Sequence, residues 1–453
     1  MPTTTAAGRR SDANVPALLV KIGPYPLHHG GVGAIRSLGR LGAPVYAITE
    51  RRATPAALSR YLRGAIVWPT TGLEARDELV AGLLAVGREV AARSRRDGGA
   101  GAGIVAIPTD DEAGVLLAEN ASELRPLFSL PDVAPGLPRR LADKNGLAEL
   151  CTAHGIPSPR SYLPASAAEL RAAAVDLGYP VVVKNAQPWT RLRRPAVGSS
   201  TVVSDPDALE RLIAGWGTEA ELPRVLVQEF LPGGPGSDWV ANIYCPGNGA
   251  ALTCFTGLKV RCWPEGGGVG SLLYAVPNDE IAARTAELCR RVDYRGVADL
   301  DWRAEPGGSG FRLLDFNPRV GAQFALFRNS REVDVVRALY LDLTGQEIPH
   351  GPQVYGRGMR VEHLDVPAAL AARARRAQPL PGPTVPWFRI RPAWVTPRDP
   401  LPAAAAALLA LRPAAAMARR VLRRRHQVAL PLPVPPVGPP GDGHGAVPPE
   451  GRN

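Results

Sequence analysis

The residues best suited to chemistry lie in the run Phe-Arg-Leu-Leu-Asp-Phe-Asn-Pro-Arg that contains Asp315. Because side chains of a β-strand alternate between two faces, Asp315, Asn317 and Arg319 should share one face. Leu314 and Phe316 should point to the opposite face. Carboxylate and amide oxygens suit Mg²⁺, and a planar guanidinium suits a phosphoryl group. The run predicts a metal–phosphate site; the alternative is an edge strand with a solvated polar face.

A second strand is predicted at residues 297–303, Val-Ala-Asp-Leu-Asp-Trp-Arg, with Asp299 and Asp301 on one face. The following Ala-Glu-Pro-Gly-Gly-Ser-Gly is typical of a hairpin turn. If the turn leaves an odd number of unpaired residues, Asp301 lies beside Asp315. Adjacent carboxylates repel each other unless a cation lies between them. The hairpin therefore predicts a metal site formed by Asp301, Asp315 and Asn317.

Lysine is rare in this chain, because only four of the 53 Lys and Arg residues are lysines: Lys21, Lys144, Lys184 and Lys259. Lys144 follows Asp143, a predicted helix N-cap. Lys184 ends the β-branched run Tyr-Pro-Val-Val-Val-Lys, and Lys259 ends the predicted strand Leu-Thr-Cys-Phe-Thr-Gly-Leu-Lys. A compact ammonium suits phosphate. We expect the last three lysines to contact phosphate; solvated surface amines are the alternative.

The order of these motifs resembles that of the ATP-grasp superfamily. It runs from the Asp143-Lys144 helix and Gly-Ile-Pro-Ser-Pro through Tyr-Pro-Val-Val-Val-Lys and Val-Gln-Glu-Phe-Leu-Pro-Gly-Gly. It ends with Asp-Leu-Asp-Trp and Leu-Leu-Asp-Phe-Asn-Pro-Arg. Within the superfamily the chain is most similar to the carboxylate–amine ligases, a group that includes D-aspartate ligase-like enzymes. The resemblance spans residues 17–345.

The resemblance implies an α/β chain that is α+β in its ATP-grasp part. It places an N-terminal βα pre-ATP-grasp domain at residues 16–130 and a two-lobed ATP-grasp domain at residues 131–345. The smaller lobe would span residues 155–230. A C-terminal extension at residues 346–395 and a basic helix with a Pro-rich disordered tail at residues 396–453 complete the expected organisation.

The resemblance also implies that ATP and Mg²⁺ are the cofactors, and it gives the candidate nucleotide-binding residues their roles. Lys144 and Lys184 would contact the α- and β-phosphates, and Lys259 would reach the γ-phosphate. Glu229 would face the adenine, and Asp238 would bind the ribose hydroxyls.

The same resemblance makes Asp301, Asp315 and Asn317 the Mg²⁺ ligands, while Arg319 would steady the transferring phosphoryl group. Many relatives close the phosphates under a Gly-rich loop after the second lysine, and this chain departs from that pattern at residues 185–200. In place of such a loop it has three arginines and a Gly-Ser-Ser run that would supply charge and backbone amides: Arg191, Arg193, Arg194, Gly198, Ser199 and Ser200.

The N-terminal part predicts a βα layer. The predicted elements are a strand at Val15–Ile22, a helix at Gly33–Leu41, a strand at Pro44–Thr49, a surface loop at Ala92–Gly103 and a strand at 104–110. The glycine-rich loop after the first strand lacks the Gly-x-Gly-x-x-Gly spacing of dinucleotide-binding proteins, which argues against NAD. His28 and His29 in that loop would bind substrate or assist proton transfer; a plain loop surface is the alternative.

Composition indicates a cytoplasmic protein. The 453 residues, 45% of them hydrophobic, suffice for about three domains with ample core. The five cysteines contain no Cys-x-x-Cys pair, so we expect them to be reduced and mostly buried. Residues 1–15 lack the apolar centre of a signal peptide, and no apolar run reaches the length of a membrane span.

Positive charge is concentrated near the C-terminus. Residues 371–453 hold 13 arginines and no lysine against three acidic residues, which leaves +10 of the net +11. Residues 402–425 predict an Ala/Leu helix that ends in arginines. It would be solvated and packed loosely on the protein body, or in peripheral contact with an anionic membrane surface or an acidic partner. Residues 430–453, rich in Pro and Gly, should be disordered. The basic segment lacks interleaved aromatic residues, so we expect no nucleic-acid binding.

Taken with the resemblance, the site residues predict an ATP-dependent ligase. It would phosphorylate a carboxylate to an acyl phosphate and join it to an amine, with small-molecule carboxylate and amine substrates as its partners. Two alternatives stay open: a catalytically silent nucleotide-binding regulatory protein, and an ATP-grasp kinase that acts on a hydroxyl.

Overall fold

A computed structural model gives the fold of the chain. It describes residues 14–99, 103–187, 195–198, 200–217, 222–234, 236–247, 252–264, 268–308, 310–374 and 384–411. The chain divides into a compact unit, residues 1–409, and a second unit, residues 410–453. Of the predicted C-terminal helix, residues 402–411 are helical, and the rest lies outside the described residues. The Pro-rich tail lies outside them as well.

The N-terminal sheet has five parallel strands in the order β3-β2-β1-β4-β5. Its strands are Ala17–Val20 (β1), Val45–Thr49 (β2), Gly64–Val67 (β3), Ile104–Pro108 (β4) and Phe128–Ser129 (β5). The connecting helices are His29–Leu41 (α1), Arg76–Arg96 (α2), Asp111–Glu119 (α3) and Ala121–Leu124 (α4). Strand β1 is buried along its whole length, which explains why its sequence, Ala-Leu-Leu-Val, is entirely apolar.

The three predicted strands of this layer are present, although β1 (Ala17–Val20) and β4 (Ile104–Pro108) are shorter than predicted, and two further boundaries differ. Helix α1 begins at His29 rather than Gly33, because the His28 side chain caps it by accepting a hydrogen bond from the Gly31 amide at 2.9 Å. The loop predicted to begin at Ala92 is wrong over its first part, because α2 continues to Arg96. Arginines in the last turn of α2 are favoured by the negative C-terminal end of the helix dipole.

A small antiparallel sheet follows, with strands in the order β6-β9-β7-β8. The strands are Ser161–Tyr162 (β6), Val181–Asn185 (β7), Thr201–Val203 (β8) and Val225–Glu229 (β9). Helices Ala167–Leu177 (α7) and Pro206–Ala214 (α8) pack against it and share its apolar core. Two short helices, Leu137–Ala142 (α5) and Lys144–Ala153 (α6), precede it in the chain.

The largest sheet has seven strands in the order β14-β13-β10-β11-β12-β15-β16. They are Asp238–Cys245 (β10), Thr253–Trp263 (β11), Val269–Ala275 (β12), Gly296–Ala304 (β13), Phe311–Asn317 (β14), Gly358–Arg360 (β15) and Ile390–Pro392 (β16). Neighbouring strands are antiparallel except β15 and β16. Helices Asp279–Arg291 (α9), Val335–Leu343 (α10) and Glu362–Ala374 (α11) accompany this sheet.

The β13–β14 hairpin has the predicted register, since Asp301 is the partner of Asp315. A bulge follows this pair, so that Trp302 is opposite Leu313 and Leu314 becomes the extra residue. Leu313 is buried in the core, whereas Leu314 lines a cleft beside Asp315. The prediction that Leu314 points away from Asp315 was therefore wrong, because the bulge interrupts the alternation of side chains.

The segment after β16 returns to the first sheet through a buried ion pair. Arg36 of α1 donates to the Asp399 carboxylate at 2.8 Å and to the carbonyl oxygens of Ala393 and Trp394. The other carboxylate oxygen of Asp399 accepts a hydrogen bond from the Arg60 amide. The polar groups of this contact are therefore satisfied away from water, as a buried ion pair requires.

All five cysteines are free thiols. Cys151, Cys245 and Cys289 are buried, while Cys254 and Cys262 are half-buried, in line with the sequence prediction. Among the described helices, none is both long enough and apolar enough to cross a membrane.

Replacing Asp399 with alanine should strongly destabilise the protein, because Arg36 would keep its charge in a site where its side chain is only 8% exposed. Breaking a buried pair in this way costs about 3–5 kcal/mol of unfolding free energy, measured by urea denaturation. Asp97→Ala, which breaks the exposed Arg63–Asp97 pair, is the control and should change little. Equal losses in the two variants would contradict this account of the contact.

Candidate active site

A cleft lies between the four-stranded and seven-stranded sheets. It encloses about 790 Å³ of space, including solvent at its mouth. The small sheet contributes Lys184, Gln228 and Glu229 to its lining. The large sheet contributes charged side chains from four strands: Asp238, Lys259, Asp301, Arg303 and Asp315. Such a concentration of charge in a concave site is typical of a binding site for an ionic ligand.

The two carboxylates of the hairpin are each paired with a lysine from another element. The Lys259 ammonium donates to Asp301 at 2.6 Å, and the Lys144 ammonium donates to Asp315. Lys259 lies within β11, which continues to Trp263, so the prediction that it ends its strand was wrong. The lysines neutralise two acidic groups that would otherwise repel each other across the strand pair.

Lys144 is fixed at the first position of α6. The Asp143 side chain caps this helix by accepting hydrogen bonds from the amides of Asn145 and Gly146, as predicted. The Lys144 amide donates to the Ala186 carbonyl at 3.0 Å, which ties the start of α6 to the end of β7. This backbone contact brings Lys144 close to Lys184 and to Asp315, both of which line the cleft.

Lys184 of β7 is the cleft lysine whose pKa is lowered. It donates to the Gln228 side chain at 2.9 Å, a neutral partner on β9. Burial lowers its pKa, and the Lys144 charge lowers it further, to about 8, although Asp315 and Asp301 oppose the shift. A half-buried lysine that has no carboxylate partner in direct contact among the described residues is suited to receive an anion.

The hairpin carboxylates and their lysines shift one another in the expected directions. Burial alone would raise the pKa of Asp315, but Lys144, Lys184 and Arg319 hold it below its usual value. Burial likewise acts to lower the pKa of Lys259, and the neighbouring Asp301 carboxylate more than offsets this and raises it. Both groups are therefore charged at neutral pH.

Arg319 joins the hairpin to the N-terminal sheet. Its guanidinium contacts Asp299 at 2.8 Å and Asp111, the first residue of α3, at 3.4 Å. Burial raises the pKa of Asp299 despite the Arg319 charge. Asn317 also contacts Asp299, because the Asn317 side-chain amide donates to the backbone carbonyl of Asp299 at 3.0 Å. Arg319 is thereby held beside the Asp301–Asp315 pair.

The acidic groups at the other end of the cleft are paired with arginines. Glu229 accepts hydrogen bonds from the Arg312 guanidinium at 3.0 Å and from the Arg160 amide at 3.1 Å. Asp238 accepts one from Arg303 at 2.7 Å. Both predicted nucleotide contacts therefore lie in the cleft, but neither carboxylate is free of a partner.

The donor set of the hairpin fits Mg²⁺ bound together with a ligand. Among the described residues, no group of three or more His, Cys, Asp or Glu side chains is placed to hold a metal by itself. Asp301 and Asp315 supply two carboxylates, and Asn317 supplies an amide. Mg²⁺ is usually held by one or two carboxylates and completes its octahedron with water and substrate phosphates.

The proposed phosphate lid can be placed only in part. Arg191, Arg193, Arg194 and Ser199 lie outside the described residues, whereas Ser200 lines the cleft.

A second, smaller pocket lies at the carboxyl edge of the parallel sheet. Lys21, His28 and Glu50 line it, and the Lys21 ammonium donates to Glu50. The Thr49 hydroxyl at this pocket is buried without a hydrogen-bond partner among the described residues. His29 is buried instead against the rings of His363 and Trp394 and does not line the pocket, so only His28 of the predicted pair is placed to meet a ligand.

Sequence reasoning missed several residues that complete these contacts. Asp299 was placed on the correct face but given no role, although it holds Arg319. Asp111 follows the end of β4, and acidic residues after a parallel strand are a usable signal for a site at that edge. Gln228 lies in the apolar strand Val-Leu-Val-Gln-Glu, and its sequence gives no sign of a role. Its contact with Lys184 becomes apparent only when β9 pairs with β7.

Comparison with known proteins finds two ligases. The chain is 19% identical over 222 residues to D-aspartate ligase of Enterococcus faecium (strain Aus0004), covering 48% of this chain and 53% of that protein. It is 35% identical over 80 residues to D-alanine–D-alanine ligase of Ectopseudomonas mendocina (strain ymp), covering 17% and 23%. The chain thus spans about half the length of the first relative and less of the second. No protein-family model matches it.

Solved structures share the fold over most of the chain. N5-carboxyaminoimidazole synthetase from Staphylococcus aureus complexed with ADP superposes with a TM-score of 0.55 at 11% identity, covering 76% of this chain and 80% of that one. The biotin carboxylase domain of Hydrogenobacter thermophilus 2-oxoglutarate carboxylase, in complex with MgADP, gives 0.52 at 13% identity, covering 76% and 73%. The protein therefore has the ATP-grasp fold, and among proteins of that fold it resembles the carboxylate–amine ligases.

Proposed function

We propose that the protein is an ATP-dependent ligase that activates a carboxylate as an acyl phosphate and joins it to an amine. The observation that carries the proposal is the pair of lysine–carboxylate contacts, Lys144–Asp315 and Lys259–Asp301, beside Lys184 in one cleft. These contacts place three ammonium groups around two potential metal ligands. The arrangement matches what a metal–polyphosphate complex requires from a protein.

Nucleotide binding would exchange partners within this cleft. Lys144, Lys184 and Lys259 would turn from protein acceptors to phosphate oxygens, as the family resemblance implies. Asp301, Asp315 and Asn317 would then hold Mg²⁺. When bound, Mg²⁺ neutralises phosphate charge and acts as a Lewis acid. The exchange keeps every buried charge paired, which avoids the cost of an uncompensated ion.

The opposite end of the cleft would receive the nucleoside. Glu229 lies in the segment linking the two lobes and would face the adenine, with neighbouring backbone groups at its edge. Asp238 would accept hydrogen bonds from the ribose hydroxyls. Arg312 and Arg303 hold these carboxylates in place in the absence of nucleotide.

The transfer step needs positioning and charge rather than a covalent nucleophile. A substrate carboxylate oxygen would attack the γ-phosphorus and break its bond to the β–γ bridging oxygen, which leaves with ADP. Arg319 and Lys259 would stabilise the charge that develops on the phosphoryl oxygens. The amine would then attack the acyl carbon, phosphate would leave with the acyl-bond electrons, and the amine would lose a proton as the amide forms.

The acceptor and donor substrates would enter from the carboxyl edge of the parallel sheet. The pocket of Lys21, His28 and Glu50 lies at this edge, and Arg319 reaches the same edge through Asp111. Lys21 and Glu50 offer one group of each charge, which suits a carboxylate and an amine. The names of the curated relatives make amino acids the first compounds to test.

We propose the same domain division that the sequence predicts. The strands of the parallel sheet fall within residues 16–130, and those of the four-stranded sheet fall within the smaller lobe at residues 155–230. A cytoplasmic location fits the five free cysteines.

An ADP-release screen with ATP, Mg²⁺ and pooled amino acids and small carboxylates tests the proposed reaction. A ligase should release ADP and free phosphate in equal amounts with an amide product. ADP without free phosphate would indicate the hydroxyl kinase. Nucleotide binding without any ADP release would indicate the silent regulatory protein.

Asp315→Asn should lower ADP release by a hundredfold or more, on the order of the loss seen when one preorganised charge contact of a transition state is removed. The amide keeps the shape of the side chain and removes the charge that the metal and Lys144 require. Asp132→Asn, at an exposed carboxylate outside the cleft, is the matched control and should retain activity. Full activity of Asp315→Asn with Mg²⁺ still required would refute the metal assignment.

Lys144→Ala and Lys184→Ala should each weaken ATP binding by roughly ten- to a hundredfold, because each removes a charge-assisted contact of about 1.5–3 kcal/mol. Lys21→Ala, in the pocket of the parallel sheet, should leave ATP affinity unchanged. Nucleotide titration by calorimetry measures all three. An equal loss of affinity in Lys21→Ala would show that the nucleotide does not lie in the predicted cleft.

ATP affinity should fall as pH rises above about 8, because the pKa of Lys184 is lowered to about 8 in the free protein. Above that pH the free protein must take up a proton to present a cation, so affinity should drop by up to tenfold per pH unit. Lys184→Arg stays charged and should bind ATP with little change from about pH 7 to pH 9.5. If the wild type and Lys184→Arg show the same dependence of ATP affinity on pH, Lys184 is not the titrating group.

A further inference from the structure

Four arginines gather at the outer edge of the seven-stranded sheet, outside the nucleotide cleft. We call Arg328, Arg357, Arg389 and Arg391 the edge arginines. Strands β15 and β16 are parallel, with Met359 opposite Arg391. Arg357 directly precedes β15 and Arg389 directly precedes β16, so the two arginines flank the first residue pair of these strands, Gly358 and Ile390. Like charges gathered at one place disfavour one another, and a bound anion would offset this.

Close contacts bring the remaining members to the same place. The Arg389 guanidinium approaches the backbone of Gly356, since its Nη1 lies 3.4 Å from the position that a Cβ on Gly356 would take. The Val354 amide donates to the Arg328 carbonyl at 2.9 Å, which ties the Arg328 loop to the segment between Val354 and Arg357 that precedes β15.

The guanidinium groups of the edge arginines have more N–H donors than they have hydrogen-bond acceptors among the described residues. The Nη1 atom of Arg357 and the Nε atom of Arg328 are buried without a hydrogen-bond acceptor among the described residues. Within the same described part of the chain, Glu332, which pairs with Arg328, is the only carboxylate in an ion pair with any edge arginine. A buried donor without an acceptor costs free energy, and more so when it is charged.

The electrostatic environment of Arg357 agrees with this geometry. Burial and, after it, the charges of Arg328 and Arg391 lower its pKa to about 10, against an opposing effect of Glu332. The sequence nearby does not supply a missing acid, because residues 375–383 add two arginines and no acidic residue. The site therefore carries an excess of positive charge over half-buried (Arg328, Arg357) and exposed (Arg389, Arg391) positions among the described residues.

We propose that the edge arginines form a second anion site, separate from the nucleotide cleft, that binds a phosphoryl group. Guanidinium forks pair with the several oxygens of a phosphoryl group in a bidentate manner, and a doubly charged anion matches the excess of cations. Trp387 and Phe388, which are 83% and 68% exposed, immediately precede Arg389. Their rings would contact the apolar part of a phosphate ester.

Two kinds of ligand carry such a phosphoryl group: a soluble phosphate ester and the headgroup of an anionic lipid. In the second case Trp387 and Phe388 would enter the membrane interface, where exposed aromatic side chains are favoured.

Thermal unfolding of the full chain in inorganic phosphate, against chloride at equal ionic strength, tests for the site. Phosphate should raise the unfolding temperature of the wild type. Arg357→Gln should weaken the phosphate affinity by tenfold or more, the order expected for losing one hydrogen bond between charged groups. Arg88→Gln, an exposed arginine on α2, is the charge-matched control and should respond as the wild type does.

The cleft proposed for the nucleotide would also attract phosphate, so Lys144→Ala is used to separate the two sites. The phosphate response should remain in Lys144→Ala and be reduced in Arg357→Gln. The reverse pattern would overturn the proposal. If Arg357→Gln does not fold, Arg391→Gln, at an exposed position, replaces it with the same expectation.

Sedimentation with vesicles distinguishes the sources. Binding to phosphatidic acid vesicles but not to phosphatidylcholine vesicles, lost in Arg357→Gln, would assign the site to a lipid headgroup. A phosphate response that depends on Arg357 without vesicle binding would assign it to a soluble phosphate ester. A wild type that responds to neither, or an Arg357→Gln variant that keeps every response, would overturn the proposal.

Discussion

The organisation of this protein depends on two carboxylates held directly opposite each other on neighbouring strands. Asp301 and Asp315 are register partners in the β13–β14 hairpin, and such a pair is stable only with cations beside it. Lys259 comes from the adjoining part of the same sheet, and Lys144 comes from the start of a helix tied to the small sheet. Neutralising this pair therefore requires several elements to meet at one place.

The same requirement suits the cleft to the nucleotide that we propose it binds. Its cations are already gathered and its acidic groups are already paired, so a metal–polyphosphate complex can replace the internal pairs without leaving a charge exposed to an apolar environment. Arg319 extends the arrangement to the parallel sheet through Asp299 and Asp111. The hairpin where we propose phosphoryl transfer is thereby linked to the carboxyl edge of the parallel sheet, the edge at which such sheets commonly bind ligands.

Much of this could be predicted from local sequence. Alternation of polar and apolar residues identified the hairpin, and the Asp143 cap identified the helix that presents Lys144. The rest depends on information that a local pattern lacks. The bulge that turns Leu314 into the cleft, the contact of Lys184 with Gln228 and the pairing of Arg36 with Asp399 arise from strand register or from residues far apart in the chain.

The most direct test of the central claim is a titration with Mn²⁺ as a paramagnetic substitute for Mg²⁺, followed by electron paramagnetic resonance with and without ATP. If the Asp301 and Asp315 carboxylates are paired with lysines in the free protein, Mn²⁺ alone should bind weakly. Mn²⁺ together with ATP should bind tightly as a ternary complex. The ternary signal should disappear in Asp315→Asn. Tight Mn²⁺ binding that is the same with and without ATP, or a ternary signal that survives in Asp315→Asn, would contradict the account.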